Sequence, residues 1–520
     1  MALSIRNLTT HALELISAER FESEKVSVGN VLKTFSGTIT GFLNATATTF
    51  HEVHPKGTAH TSHALAEALP VPPLATVASD IPVPSSSDHA RSEILRLAFR
   101  VSSSSSDSDG TGDGDDGDAD DGAHWQTYET DVPSPHRRSA PMRRVGAGAG
   151  AADDETLELA ALYVPAQSLV AVLPAGNPAS WMASLDDAWP LSVLSIPGTH
   201  NSPTCHTALP SVRCQHAGVP EQLANGVRFL DVRVSVSPGS SRLALVHSAF
   251  PIALTGGRWF ADMLDDVYAF LDAHPSETVL MSIKREGTGK GTDHQLGRCL
   301  KHDYIDSKGR RDRWWTEPRM PLLGRARGRI VVVRRFALDP DMQRSCWDGR
   351  GWGLDASQWP DNCEDGVVGA QGLLRVQDFY EVTESQNIDK KIGFSRSQLE
   401  RAAGQVFRIP GLAGAADGHH ADGEDSANDI PPFFVNFLSA SNFFNAACWP
   451  ERIAAKVNPA ILEYLCANHG RPGKGPADLA VGLAGTGVVV TDWVGANDDW
   501  DLIRCIIGMN ARLQRPKEKK

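Results

Sequence analysis

Two histidines end short apolar runs in this sequence: His200 in Ser195-Ile-Pro-Gly-Thr-His-Asn201, and His247 in Leu245-Val-His-Ser248. Between them, Phe229-Leu-Asp-Val-Arg-Val234 carries Asp231 and Arg233, and later apolar runs end at Lys284, at Arg335, at Asp378 with Tyr380, and at Asp492. This is equipment for acid and base work on a phosphodiester. Displacement at phosphorus by an alcohol needs a base for the attacking hydroxyl and an acid for the leaving oxygen, and imidazole, with an ordinary pKa of about 6.5, serves in either form. A carboxylate behind a histidine fixes its tautomer and supports the imidazolium, a part open to Asp492 or Asp231. A guanidinium meets two phosphate oxygens at once through its planar fork, which makes Arg233 the natural phosphate holder. The chemistry requires the two imidazoles to face each other across a pocket wide enough for one phosphoryl group, with the guanidinium between them.

Such residues must be carried by elements that converge. From Trp181 onward, short apolar strands alternate with helical stretches, the pattern of a mainly parallel α/β layout. The strands expected are Leu191–Ile196, Phe229–Val234, Leu243–His247, Val279–Ile283, Ile330–Val333, Leu374–Gln377, Phe433–Leu438 and Val488–Thr491. Eight of them fit a TIM-like (β/α) barrel, with irregularities, and in barrels the reacting groups project from the C-terminal strand ends. Trp259 to Leu271 repeats apolar residues at helical spacing and is read as a core-facing helix. Arg334 and Arg335 alternate across a strand, so one of them faces the barrel. The first 176 residues differ: alternating runs such as Leu3 to Leu8, His11 to Ser17, Ile94 to Val101, Trp125 to Thr130 and Leu169 to Leu173, separated by Pro, Gly and Ser, predict a small mainly-β, sandwich-like domain. The expected division is therefore 1–176, with a Ser/Asp-rich insertion over 102–122, then 177–514 as the barrel and 515–520 as a basic tail.

Over 520 residues, 50 Lys and Arg against 63 Asp and Glu give a net charge of −13. Eight of the acids fall in Ser102 to Asp121, a tract without Lys or Arg, so the remainder carries about −5. That balance gives no basis for nucleic acid as a partner, which needs a clustered positive surface. The eight cysteines form no CxxC pair and no zinc-type spacing. Cys205 and Cys214 are near enough to bridge in an oxidising compartment. The start, Met-Ala-Leu-Ser-Ile-Arg, lacks the charged and apolar regions of a secretory signal, so an intracellular place is expected, cytoplasmic or peripheral at membranes. Leu159 to Gly176, the longest uncharged stretch, is broken by Pro165 and Pro174 and reads as strand, turn, strand rather than a membrane span. His419-His420 in Asp417 to Asp429 reads as part of a loop insertion, not a metal site.

Taken in order, Ser195-Ile-Pro-Gly-Thr-His-Asn-Ser202, Phe229-Leu-Asp-Val-Arg233, Leu245-Val-His-Ser248, Glu277-Thr-Val-Leu-Met-Ser-Ile-Lys284, Arg329-Ile-Val-Val-Val-Arg-Arg-Phe336, Trp359-Pro-Asp-Asn362, Val376-Gln-Asp-Phe-Tyr380, Val435-Asn-Phe-Leu-Ser439 and Val489-Val-Thr-Asp-Trp493 resemble the X domain of phosphatidylinositol-specific phospholipases C, in particular the bacterial single-domain type. The likeness runs from Trp181 to Arg512, and the whole layout looks closest to fungal phospholipase-C-like phosphodiesterases. The resemblance implies that His200 is the base on the inositol 2-hydroxyl with Asp492 behind it, and that His247 is the acid for the diacylglycerol oxygen. Arg233 then holds the phosphate, Asp231 orients the rim, and Lys284, Arg335 and Asp378 hydrogen-bond the inositol hydroxyls with Tyr380 against the ring. The implied products are inositol 1,2-cyclic phosphate and diacylglycerol. Asn201 departs from the bacterial pattern, which has an aspartate there paired with the acid histidine; in the calcium-dependent animal enzymes an asparagine at that place binds metal. Here Arg233 stands where those enzymes carry a metal-binding aspartate, so no cofactor and no calcium is expected, with Asn201 kept among the substrate-binding residues. Transient membrane contact is implied, with Trp259, Trp314-Trp315 and Phe443-Phe444 as candidate anchors. Competing readings are a glycerophosphodiester phosphodiesterase on a related barrel and a catalytically silent lipid-headgroup binder.

Overall fold

The computed structural model describes residues 1–27, 51–84, 93–105, 125–133, 139–146, 157–209, 211–384, 386–409 and 430–514. The acidic tract beyond Ser105, His419-His420 and the 515–520 tail lie outside them. The chain divides into two compact units at Gly176 and Asn177.

The first unit holds two five-stranded sheets. Ala2–Asn7 lies between Thr76–Pro82 and Leu169–Pro174 in one, and His11–Ser27 lies between His51–Val71 and Glu93–Ser105 in the other. Alternation does the work: along Trp125–Val132 every second residue is buried. Leu3, Ile5, Val170 and Val172 of the first sheet share one core with Leu13, Leu97, Phe99 and Tyr128 of the second. Leu159–Val164 and Leu169–Pro174 flank a 3₁₀ turn, the expected strand, turn, strand.

The second unit is a (β/α) barrel. Its parallel strands are β1 (Ile196–Thr199), β2 (Phe229–Ser235), β3 (Val279–Arg285), β4 (Ile330–Arg335), β5 (Leu354–Asp355), β6 (Leu374–Gln377), β7 (Phe433–Phe437) and β8 (Val488–Thr491). Parallel ladders join β6 to β7, β8, β1, β2, β3, β4 and β5 in that order. Among the described residues no ladder joins β5 to β6, so the barrel is open there. Helices cover the outside, and Phe260, Met263, Leu264, Val267 and Leu271 of Phe260–Ala273 pack on Leu230, Val232 and Met281.

Two expected strands are corrected. Leu191–Val193 is a 3₁₀ turn and β1 begins only at Ile196; the apolar run reflects burial, not conformation, and Pro197 inside the strand disguised it. Ala244–His247 is no barrel strand but pairs antiparallel with the end of β2. The connection from Ser235 is too short for a parallel crossover, which needs about a dozen residues. The eighth place is taken by β5, a two-residue strand with no periodicity to read.

The interior is layered by the period of two. Ile196, Phe229, Leu280, Val331, Leu374, Phe433 and Val488 belong to one inner core with Val333, Val376, Val435 and Val490 one step further along. Two or four positions on, the same faces reach His200, Asp231 and Arg233, Lys284, Arg335, Asp378 and Asp492. An apolar plug therefore carries a polar mouth. Gly198 lies in that plug, where a Cβ would stand 3.0 Å from the Phe229 Cβ and 3.2 Å from a Val488 methyl. Gly198→Val should therefore overpack the plug and cost about 1–3 kcal/mol, read as a lower urea midpoint with an unchanged slope.

Candidate active site

The turn after β1 sets His200, whose N–H donates to the Thr491 carbonyl at 2.9 Å. Its Nδ1 is 2.9 Å from Asp492 Oδ1, at the end of β8, leaving Nε2 for other work. Gln215 buttresses the pair, donating to the His200 and Thr491 carbonyls at 2.7 and 2.9 Å. His247 arrives on the hairpin that follows β2, and its ring centroid lies 5.6 Å from that of His200 with the planes at 83°. Each histidine is 8% exposed. The expectation that a phosphoryl group fits between the rings is corrected: they touch edge to face, so a group served by both must lie beside them.

Register builds the floor beside them. Arg233, Lys284 and Arg335 are mutual partners across β2, β3 and β4, three cations in one row. Asp231, one inward position below Arg233, is fully enclosed and compensates two of them, with Oδ2 at 3.1 Å from Arg233 and Oδ1 at 3.4 Å from Arg335. Glu286, two residues beyond Lys284, takes Arg233 at 3.0 Å and Lys284 at 2.9 Å and accepts the Ser248 N–H at 2.8 Å. Burial pushes both carboxyls up, but Arg233 overrides it: Asp231, also near Arg335 and His200, is held well below the usual range, and Glu286 is brought to about 2. Asp378 lies 3.7 Å from Arg335 and accepts from the Trp359 indole at 2.9 Å, while the Arg335 guanidinium stacks on Trp359 at 3.8 Å. Tyr380 donates to Asp361 at 2.6 Å.

Asn201 is fully buried, and its contribution runs through its backbone, whose N–H donates to Asp231 at 3.1 Å. The side-chain amide reaches the Val246 carbonyl at 3.4 Å and does not line the mouth. Among the described residues no carboxylate backs His247. Its Nδ1 is 2.9 Å from the Val212 carbonyl and 3.5 Å from the Cys214 sulfur. Burial, then the charges of Arg233 and His200, bring its pKa down to about 3. Asp492 moves the other way: burial raises it, against the pull of His200, Arg233 and Lys391. Cys205 and Cys214 are free thiols and do not bridge.

Sequence reading missed Glu286, Trp359 and Lys391 as members of this site. Glu286 had a signal in its spacing, two residues past Lys284 on an alternating strand. Trp359 was visible only as part of a motif. Lys391 sits on the helix Asn387–Ala403 and reaches in to Gln377 and the Phe379 carbonyl at 3.1 and 2.6 Å, where burial lowers it to about 7. Its helical face gave no sign of that reach. Trp314 and Trp315, expected as possible anchors, are core residues at 3% and 6% exposure. Phe443 and Phe444 are exposed, Phe444 at 93%.

Residues 188–336, which carry β1 to β4 and both histidines, match the family model for the X domain of phosphatidylinositol-specific phospholipase C. This segment belongs to that family. Around the X domain, the chain is 26% identical over 329 residues to a 1-phosphatidylinositol phosphodiesterase of Staphylococcus aureus, covering 61% of this chain and 89% of the relative. It is 31% identical over 160 residues to the human PI-PLC X domain-containing protein 1, covering 24% and 48%. A crystal structure of the S. aureus phosphatidylinositol-specific phospholipase C superposes with a TM-score of 0.48 at 24% identity, over 64% of this chain and 97% of the other.

His247 makes stability depend on pH with a defined sign. The unfolded imidazole takes a proton below about 6.5, the folded one only near 3, so unfolding is favoured progressively as pH falls from 6.5 toward 3. Denaturant titrations across that window should show wild type losing stability faster than His247→Gln; parallel curves would contradict the buried neutral imidazole.

Proposed function

We propose that the barrel cleaves an inositol phospholipid by attack of the inositol 2-hydroxyl on phosphorus, releasing inositol 1,2-cyclic phosphate and diacylglycerol. The observation that carries this reading is the His200–Asp492 pair in edge contact with His247, above the cation row of Arg233, Lys284 and Arg335. The family of residues 188–336 and the activity named for the staphylococcal relative support it. Three ligand-capable groups near one another are His200, Cys214 and His247, without a carboxylate among them, which favours this chemistry over a glycerophosphodiesterase with a carboxylate metal site.

In this reading His200 takes the proton of the 2-hydroxyl as the new P–O bond forms, and Asp492 supports the imidazolium that results. The bond to the glycerol oxygen breaks, and that oxygen takes its proton from His247. Arg233 faces the non-bridging oxygens, where charge shifts during the reaction. An internal nucleophile is already ordered beside the phosphorus, so no second substrate has to be captured. Burial holds His247 neutral; an arriving phosphodiester supplies the negative charge that the enclosure lacks and draws a proton to it. Lys284, Arg335 and Asp378 are assigned to the inositol hydroxyls and Tyr380 to the ring face. Positive charge at phosphorus comes from the protein, so calcium is not required. The layout with an N-terminal β-unit is what suggests the fungal phospholipase-C-like enzymes as nearest in plan.

His200→Ala and His247→Ala should each lower turnover of phosphatidylinositol by about 10²–10⁴ and together fall short of the product of the two losses, while exhaustive chelation leaves wild type unchanged. A full rate in either variant, or loss reversed by calcium, contradicts the mechanism.

Among the described residues no helix is long and apolar enough to cross a membrane. Access to lipid is assigned instead to the loop after β7, where Phe443 stacks on Phe250 at 5.9 Å and Phe444 projects outward. That loop and the hairpin after β2 that carries Phe250 both follow C-terminal strand ends, on the same rim as the histidines, and aromatic rings suit the bilayer interface. Phe443→Ser with Phe444→Ser should weaken binding to phosphatidylinositol-containing vesicles in a sedimentation assay; undiminished binding removes this assignment.

A further inference from the structure

One group at the site is left unused by the proposed reaction. Cys214 is fully enclosed, with its sulfur 3.5 Å from His247 Nδ1, and single ligand atoms of Cys214, His247 and His200 all lie within 4.8 Å of one another. Tetrahedral zinc, with bonds of about 2.0–2.1 Å to nitrogen and 2.3 Å to sulfur, sets those two atoms about 3.5 Å apart, the separation seen here. His200 is already oriented for the third bond, because Asp492 holds its Nδ1 and leaves Nε2 to ligate, the carboxylate–histidine arrangement that supports metal sites.

We propose that Cys214, His247 and His200 form a site for a thiophilic divalent cation, with Zn²⁺ and Co²⁺ as probes, and that its occupation blocks the reaction. The blocking half rests on the catalytic reading of the two imidazoles; the binding half does not. On binding, the Cys214 thiol gives its proton to solvent and the sulfur bonds the metal. The Nδ1 proton of His247 moves to Nε2, and the bond to the Val212 carbonyl is given up. No electron is transferred. Three protein ligands leave the fourth position to water. Calcium and magnesium, which take oxygen ligands, do not compete for a sulfur and two imidazoles. Such a cation would occupy the Nε2 lone pair of His200, so the base could not take the proton of the attacking hydroxyl, and it would keep His247 from gaining the second proton that makes it an imidazolium acid.

The test is titration of the metal-free full chain with Co²⁺. One equivalent should bind with a sulfur-to-cobalt charge-transfer band in the near ultraviolet, be displaced by Zn²⁺ and be unaffected by excess Ca²⁺. Cys214→Ser should abolish the band, and loss of any ligand should weaken binding by more than the roughly 100-fold that loss of an outer-shell partner costs. His200→Ala and His247→Ala carry the same expectation and keep the test decisive should Cys214→Ser fail to fold. Absence of stoichiometric binding, or binding without the sulfur band, overturns the site. Zn²⁺ should also suppress turnover in proportion to occupancy and release it on chelation; turnover that survives full occupancy overturns the blocking. A metal-free protein without any turnover counts against the functional reading alone, because the cobalt spectrum does not depend on it.

Discussion

Three cations in one row of a parallel sheet are the constraint on which the mouth of this barrel depends. The register that pairs Arg233 with Lys284 and Lys284 with Arg335 sets their side chains on neighbouring strands, about 4.8 Å apart, on one face. Left alone, such a row repels itself in a place with little water to screen it. Asp231 from below and Glu286 from above resolve this, each bridging two of the three. The result is a row of cations held in place by its own counter-charges. Removing Asp231 would leave Arg233 with Glu286 alone and Arg335 with Asp378 alone at 3.7 Å, a loss of buried compensation more costly than losing a surface ion pair.

Burial, and then the Arg233 end of the row, also sets the protonation of His247. An aspartate after His200 would have given His247 a charged partner; Asn201 gives none, and the Val212 carbonyl that meets Nδ1 fixes a tautomer without adding charge. Burial, with Arg233 and His200 nearby, holds His247 in its neutral form. Asn201 is thereby reassigned from a ligand for substrate to a backbone donor that positions Asp231. In the proposed mechanism, proton affinity at His247 is coupled to arrival of the phosphodiester, and this coupling stands in for a carboxylate partner.

Much of this was legible in the sequence, because a strand's period of two is a strong constraint. Once Phe229, Leu280, Val331, Leu374 and Val488 are known to point inward, Asp231 and Arg233, Lys284, Arg335, Asp378 and Asp492 follow by counting, and Arg334 is sent outward to the Trp352 and Phe336 carbonyls. What was not legible came from elements without that period. His247 rides a hairpin whose short connection could have excluded a parallel strand, and β5 is two residues long. Lys391 and Trp359 enter from a helix and a loop, so their reach depends on packing that no local pattern encodes. Trp314 and Trp315, candidate anchors in the sequence, are core, the commoner fate of paired large rings.

The account holds that two imidazoles and a guanidinium serve a phosphodiester displaced by a hydroxyl of its own headgroup. The most direct measurement is phosphorus NMR of the first product formed from phosphatidylinositol by the wild-type chain. The account requires the signal of a five-membered cyclic phosphate to appear before any open-chain inositol phosphate; an open-chain monoester as the first product would contradict it.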